Sequence, residues 1–331
     1  MNEIPKYTSI FKEELKDLVQ LKRAEGCKYE AESKAFKRLD QFFVAHELSE
    51  KNITKELADE WCKKRSYEST ANQNNRISLL NIFLKYISSI GINTYLLPKN
   101  SMVKKKKYDA HIYTDYELQR LFRTIDASIS VPKEAPYRAV TLPVFWRILY
   151  TTGMRVSELR LIKLKDIDFE QGILKITTSK NYKERLIPIH PKLTVKCREL
   201  KKTIHATSNE DEYFFMLKPG LPMSLGNLDK NFRRYLEKAG ISHGGRGKGP
   251  RIHDLRHTYA VNLLRKWTDE GKDLLAYTPY MRVILGHETF EETAYYLKLT
   301  SERFPYIKDQ LKTSFQSIVE EVTDYEEPEF E

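Results

Sequence analysis

Apolar positions recur at helical spacing through residues 8–90. Ile10, Phe11, Leu15, Leu18 and Val19 form one set. Phe36, Leu39, Phe42 and Phe43 form a second, and Ile77, Leu80, Phe83, Ile87 and Ile90 a third. Steps of three and four place each set on one face of a helix, so the whole segment is predicted to be helical. The third helix follows "KKRSYESTANQNNR", a polar and basic run. Such a run suits either phosphate contact or a solvated helix end.

The pattern breaks at "LLPKNSMVKKKKYD", residues 96–109. Pro98 is expected to stop the helix. Lys104 to Lys107 make a cationic run, which is either solvated or laid along a DNA backbone, where neutralised phosphates release counterions. A second pattern starts at "YTDYELQRLF", with Thr114 as a helix N-cap and Glu117 as its capping-box partner. Residues 142–163 read as helical around a break at Thr152 and Gly153. Next, "ILKITTS" and "ERLIPIH" alternate and flank the polar turn "KNYK", which predicts a β-hairpin. Helices resume near residue 225. Phe304, Ile307, Leu311, Phe315, Ile318 and Val322 form a final stripe with Pro305 near its start. The expected fold is mainly α with a small antiparallel hairpin or sheet. The expected division is a helical domain over 1–97, a basic linker over 98–110, a second domain over 111–312, and a helix end with an acidic tail over 313–331.

Composition adds three constraints. A hydrophobic fraction of 40% is enough for real cores, which argues against general disorder. No apolar run is long enough to span a membrane, and the charged start "MNEIPKYTSIFKEELKDL" lacks the apolar stretch of a secretory signal. Three scattered cysteines, Cys27, Cys62 and Cys197, give neither a zinc pattern nor a disulfide framework, which fits a reducing cytoplasm. Charge changes the picture more. The chain carries +10, yet residues 313–331 hold seven acidic residues and no lysine or arginine, so residues 1–312 carry +17. A body that basic matches a polyanion such as nucleic acid, although an ordinary basic enzyme has the same balance.

Four places are candidates for chemistry. "TGMRVSEL" puts Arg155 just after a glycine turn. Lys180 lies in the hairpin turn, where a flexible ammonium can reach a groove of bound DNA. "HDLRHTYA" puts His253 and Arg256 one helical turn apart, with His257 beside them. A metal reading of this stretch lacks ligands, because there is no His-Glu-x-x-His pattern and no local carboxylate cluster. The loop before it, "HGGRGKGPR", offers N–H groups and cations to phosphates, but its spacing is not that of a P-loop and does not imply ATP. "LGHETFEETAYYLK" holds His287 and, nine residues on, Tyr296. Tyr295 and Tyr296 are adjacent, about a hundred degrees apart around a helix axis, so only one easily faces a given target.

Taken in order, an arginine, a hairpin lysine, His-x-x-Arg, Gly-His and a tyrosine nine residues later resemble the tyrosine recombinase (phage integrase) family. The resemblance covers about residues 5–320 and is sharpest at "TGMRVSELRLIKLKDID", "HDLRHT" and "LGHETFEETAYY". It implies that Arg155, Lys180, His253, Arg256 and His287 assist and that Tyr296 is the nucleophile, with Tyr295 a packing neighbour. Two guanidiniums would hold a phosphate, His253 would act as base, Lys180 as acid, and His287 would bond the phosphate or orient the tyrosine. It further implies a two-domain clamp on double-stranded DNA, a 3′-phosphotyrosyl intermediate, and no metal, ATP or other cofactor. The expected partners are DNA, three further copies of the chain in a tetramer on two sites, and accessory DNA-bending or directionality proteins. The last apolar stripe is expected to dock on a neighbouring copy or on its own domain. The expected location is cytoplasmic, at the nucleoid.

The stretch between Arg256 and Gly286 is a few residues longer than the compact form of the family, and residues 200–215 also look extended. Both favour a mobile-element integrase or transposase over a chromosome-dimer resolvase. Three alternatives stay open at this point. A type IB topoisomerase would use the same residues to relax supercoils without exchange. A DNA-binding regulator would keep the scaffold without the activity. A metal-dependent nuclease would be stopped by a chelator.

Overall fold

The computed structural model describes residues 3–303 apart from 104–107, 178–183, 246–248 and 288. The lysine run 104–107, Lys180, the expected final helix and the acidic tail therefore lie outside the described residues. The chain divides into two compact units, Met1–Tyr108 and Asp109–Glu331. No described helix is long and apolar enough to cross a membrane.

The first unit is built from α1 (Lys12–Ala24), α2 (Glu30–Ala45), α3 (Lys55–Cys62) and α4 (Thr70–Ser89). Its apolar stripes meet in an aromatic centre where Phe11 lies 5.0 Å from Phe43 and 5.5 Å, edge-on, from Phe83. Buried rings at these separations gain from tilted and edge-to-face geometry as well as from burial. Thr54 and Ser69 cap α3 and α4 by accepting the N–H groups of Leu57 and Asn72. The buried Asp40 carboxylate takes the N–H groups of Thr8 and Ser9, each at 2.8 Å, and so ties the incoming chain to α2.

Two expectations change here. The helix α4 stops at Ser89, nine residues ahead of Pro98, and the chain turns at Ile90 and Gly91. Within the basic stretch, Arg76 is turned inward, at 9% exposure. Its guanidinium donates to Glu68 at 2.9 and 2.8 Å and to the Lys63 carbonyl at 2.9 Å, and it sits 5.1 Å over the Trp61 ring. The polarity of that run is thus partly an internal lock between α3 and α4.

The second unit begins with α5 (Asp115–Asp126), where Thr114 and Glu117 form the capping box expected of them. The helix α6 (Arg138–Thr152) is apolar nearly all round. Leu142, Val144, Phe145, Trp146, Ile148 and Leu149 are all buried, because α5 and later helices cover it on several sides. Gly153 ends it, and the short α7 (Val156–Leu159) follows. The sheet has three antiparallel strands, β1 (Ile167–Asp168), β2 (Ile173–Ile176) and β3 (Arg185–Pro188), in the order β1-β2-β3. In register, Ile173 faces Pro188 and Ile176 faces Arg185. Leu174, Ile176 and Ile187 point into the core, whereas Lys175 and Leu186 point out, as a period of two demands. The two-residue β1 adds a strand to the expected hairpin; it is too short to show any period in sequence.

After the sheet come α8 (Pro191–Ile204), α9 (Leu225–Lys238), α10 (Ile252–Asp269), α11 (Leu274–Leu285) and α12 (Phe290–Arg303). One core runs from α5 through the sheet to the start of α10. A smaller cluster, with Leu264, Trp267, Met281 and Leu285, joins α10, α11 and α12, and Tyr296 belongs to it. The helix α10 touches α6, α11 and α12, and α11 also meets β3. The C-terminal ends of α6 and α11 thereby converge beside α10.

Candidate active site

A helix leaves its last carbonyls without partners inside it, and that end carries partial negative charge. Two arginines answer two such ends here. Arg256, on α10, donates from Nη1 to the Gly153 carbonyl and from Nη2 to the Leu285 carbonyl, both at 2.7 Å. Arg155, between α6 and α7, donates from Nη2 to the Gly286 carbonyl at 3.2 Å. Gly153 and Gly286 both adopt left-handed backbone, with φ of +62° and +64°. A Cβ at Gly153 would lie 2.4 Å from the Tyr259 ring, so side-chain-free backbone is required there on two counts. Arg256 is only 3% exposed. The Arg155 side chain is 24% exposed and forms the open side of the pair.

A carboxylate holds Arg155 from behind. Glu158 accepts the Arg155 N–H at 3.1 Å and its Nη1 at 3.2 Å. The same carboxylate accepts Arg185, on β3, at 3.2 and 2.6 Å. Burial by itself pushes the Glu158 carboxyl up, but the hydrogen bonds and charges of Arg185 and then Arg155 outweigh it and hold it below the usual carboxylate range. Arg185 also lies against Gly286, where a Cβ would fall 2.8 Å from its guanidinium.

A group of rings adjoins Arg256 through Tyr296. His287 and Tyr296 stack in parallel, with interplanar angle 1° and centroids 5.6 Å apart. His287 Nδ1 and the Thr293 hydroxyl are 2.9 Å apart, which fixes the imidazole against α12. His257 packs 4.7 Å from His253, 5.4 Å from Tyr296 and 5.8 Å from Tyr295. Tyr296 is 3% exposed, whereas Tyr295 is half-buried.

The electrostatics follow from this crowding. Burial pushes the Tyr296 phenol up, and the Arg256 charge beside it pulls back in part. Burial and then the charges of Arg256 and Arg155 push His287 down to about 3. His253 is open to solvent on one side, yet the protein packed around it, then His257, Arg256 and Arg155, push it down to about 3 as well. At neutral pH both imidazoles are neutral and the phenol keeps its proton. Two guanidiniums then supply fixed positive charge next to one buried hydroxyl.

Of the residues expected from sequence, Arg155, His253, Arg256, His287 and Tyr296 come together here, and Lys180 lies outside the described residues. The chain's residues 113–303, which span this whole constellation, match the family model for the phage integrase family. The chain belongs to the phage integrase family.

Among relatives, it is similar to the integrase/recombinase y4rB of Sinorhizobium fredii, with 25% identity over 296 residues, covering 87% of this chain and 93% of that protein. It is 30% identical to tyrosine recombinase XerA of Thermococcus kodakarensis over 168 residues, which are 50% of this chain and 53% of that one. Its fold is shared with the Tn1549 transposon integrase in complex with circular intermediate DNA, at TM-score 0.61 and 17% identity, over 86% of this chain and 94% of that one.

Three residues of this phage integrase domain escape a reading of the sequence. Glu158 stands three positions after Arg155, a spacing that brings the two together in a helical turn. Arg185 shares the inward face of β3 with Ile187, and a charged residue on an inward face needs a partner. His257 enters that reading only as a metal ligand, and the structure places it instead among the rings of His253, Tyr295 and Tyr296.

Proposed function

We propose that this phage integrase family member is a site-specific DNA recombinase that cuts and rejoins duplex DNA through Tyr296. The observation that carries the reading is the anchoring of Arg155 and Arg256 on the ends of two helices, beside one buried tyrosine. Guanidiniums so held are preorganised to grip the non-bridging oxygens of a phosphodiester. Attack by the Tyr296 oxygen forms a P–O bond to the tyrosine and breaks the bond from phosphorus to the 5′ oxygen. The phenol proton passes to a neutral imidazole, for which His253 is the candidate, and the departing 5′ oxygen takes a proton, for which Lys180 is the candidate. His287, stacked on the phenol ring, orients it. The strand ends as a 3′-phosphotyrosyl ester and a free 5′ hydroxyl. The ester keeps the energy of the broken bond, so the 5′ hydroxyl of another strand reverses the step without ATP.

Double-stranded DNA is the substrate in this reading, and four copies act on two sites, assisted by accessory bending or directionality proteins. Each of the two units contacts the duplex in this reading. The likeness to a transposon integrase, and the length of the segment before Gly286, favour movement of a mobile element as the task. Duplexes enriched by binding from a random pool supply the site. Two plasmids carrying that site are expected to recombine in EDTA without ATP. Relaxation of a plasmid lacking the site, with no exchange between plasmids that carry it, would contradict the reading in favour of a topoisomerase.

A further inference from the structure

Arg185 belongs to no part of the chemistry above, yet its surroundings are unusual. It is nearly buried, at 8% side-chain exposure, and so is its partner Glu158, at 2%. Two buried charges are costly to desolvate, and such a pair is often no more stabilising than apolar residues of the same size. A hydrophobic pair would therefore serve a merely structural end as well. The contacts around Arg185 give it a different use. Its fork holds both oxygens of Glu158, and Glu158 in turn holds both the backbone N–H and the Nη1 of Arg155. The same guanidinium rests on Gly286, where a Cβ would fall 2.8 Å from its Nη1, and the Gly286 carbonyl receives the Arg155 Nη2. One planar group thus fixes two of the supports of Arg155 at once. Gly286 also leads directly into His287, and Arg185 itself starts β3.

We infer that Arg185 is a positioning residue that sets the orientation of Arg155 through Glu158 and of the Gly286–His287 turn by direct packing. The inference rests on the reading of Arg155 as a phosphate clamp. A lysine in this place keeps the charge but cannot span both carboxylate oxygens. A glutamine loses the charge and leaves Glu158 with Arg155 as its one remaining cationic partner in this cluster, which draws Arg155 away from phosphate. Small displacements of a clamp group are expensive in rate, on the order of a hundredfold for about 1 Å, while overall DNA affinity is spread over many contacts.

The test compares wild type, Tyr296→Phe, Arg185→Lys, Arg185→Gln, Glu158→Gln and the double variant Glu158→Gln/Arg185→Gln. Each is assayed for melting temperature, for duplex affinity, and for the single-turnover rate of covalent complex formation on a nicked duplex at saturating protein. Arg185→Gln is expected to bind within about threefold of wild type and to cleave roughly a hundredfold more slowly. Arg185→Lys is expected to fall between the two. The double variant should cost no more than the worse single one, because the two residues act as a unit. Wild-type cleavage by folded Arg185→Gln would overturn the inference, as would losses of rate and affinity of equal size. Failure of both Arg185 variants to fold would assign the residue to stability and overturn it too. If wild type itself forms no covalent complex, the reading of Tyr296 falls first; if wild type reacts and Tyr296→Phe does not, the result at Arg185 bears on this inference alone.

Discussion

The guanidinium of Arg256 donates to the carbonyl of Gly153 at 2.7 Å, across 103 positions of sequence. With its second bond, to Leu285, it pins the end of α6 to the end of α11. Its Nε has no hydrogen-bond partner among the described residues. The geometry is specific to a fork. Arg256→Lys retains a positive charge but cannot reach both carbonyls and a phosphate together. Its cleavage rate is expected to fall on the order of a hundred- to a thousandfold, with affinity for duplex falling less than about tenfold. Single-turnover cleavage and a binding titration on the same duplex measure both. Equal losses in the two would mean that Arg256 only binds.

Gly153 makes a separate prediction about stability. Its φ is +62°, and a Cβ there would come within 2.4 Å of the Tyr259 ring, so both backbone and space oppose any substitution. Gly153→Ala is expected to cost about 1–3 kcal/mol and to lower the melting temperature. Gly226, exposed on α9 with nothing within 4 Å of where a Cβ would sit, provides the control. Gly226→Ala should leave stability unchanged or raise it slightly.

The depressed histidines predict a pH dependence with a definite sign. The folded pKa of His287, about 3, lies below the ordinary value of 6.5, and the more exposed His253 is depressed in the same direction. The folded chain therefore binds fewer protons than the unfolded one as pH falls. Their contribution is fully present above about pH 6.5 and is lost progressively as pH drops from there toward 3. Melting temperature should decline as pH falls from about 6.5 to 4, and His287→Asn should flatten that decline. A wild-type curve no steeper than that of His287→Asn would contradict the assignment.

Arg76 distinguishes an internal lock from a DNA contact. Arg76→Ala removes its bonds to Glu68 and to the Lys63 carbonyl, and the expected loss is about 1–3 kcal/mol of stability. The slope of log affinity against log salt should not change. A phosphate contact would instead lower that slope by about one and leave the melting temperature alone.

Much of this molecule is legible in its sequence because the signals are local. Thr114 and Glu117 announce a helix start through spacing alone, and the alternation in "ILKITTS" and "ERLIPIH" announces paired strands. The order of Arg155, His253, Arg256, His287 and Tyr296 points to one site. What stays hidden depends on contacts distant in sequence. Nothing near Gly153 says that its carbonyl serves Arg256. Glu158 looks like an ordinary helix residue because its second partner, Arg185, arrives from a strand. The stop of α4 at Ser89 is obscured for a different reason: Pro98 is the louder signal, but a helix ends where its packing ends, and α4 has left its core by Ile90.

The central claim is that two anchored guanidiniums allow one phenol to take the strand. The most direct measurement is to denature the protein in mid-reaction on a nicked duplex, digest it, and identify the peptide that carries the nucleotide. The account predicts a phosphodiester on Tyr296 and none on Tyr295, lost in Tyr296→Phe and sharply reduced when Arg155 or Arg256 is replaced. Nucleotide on Tyr295, or a covalent yield untouched by removal of both arginines, would contradict it.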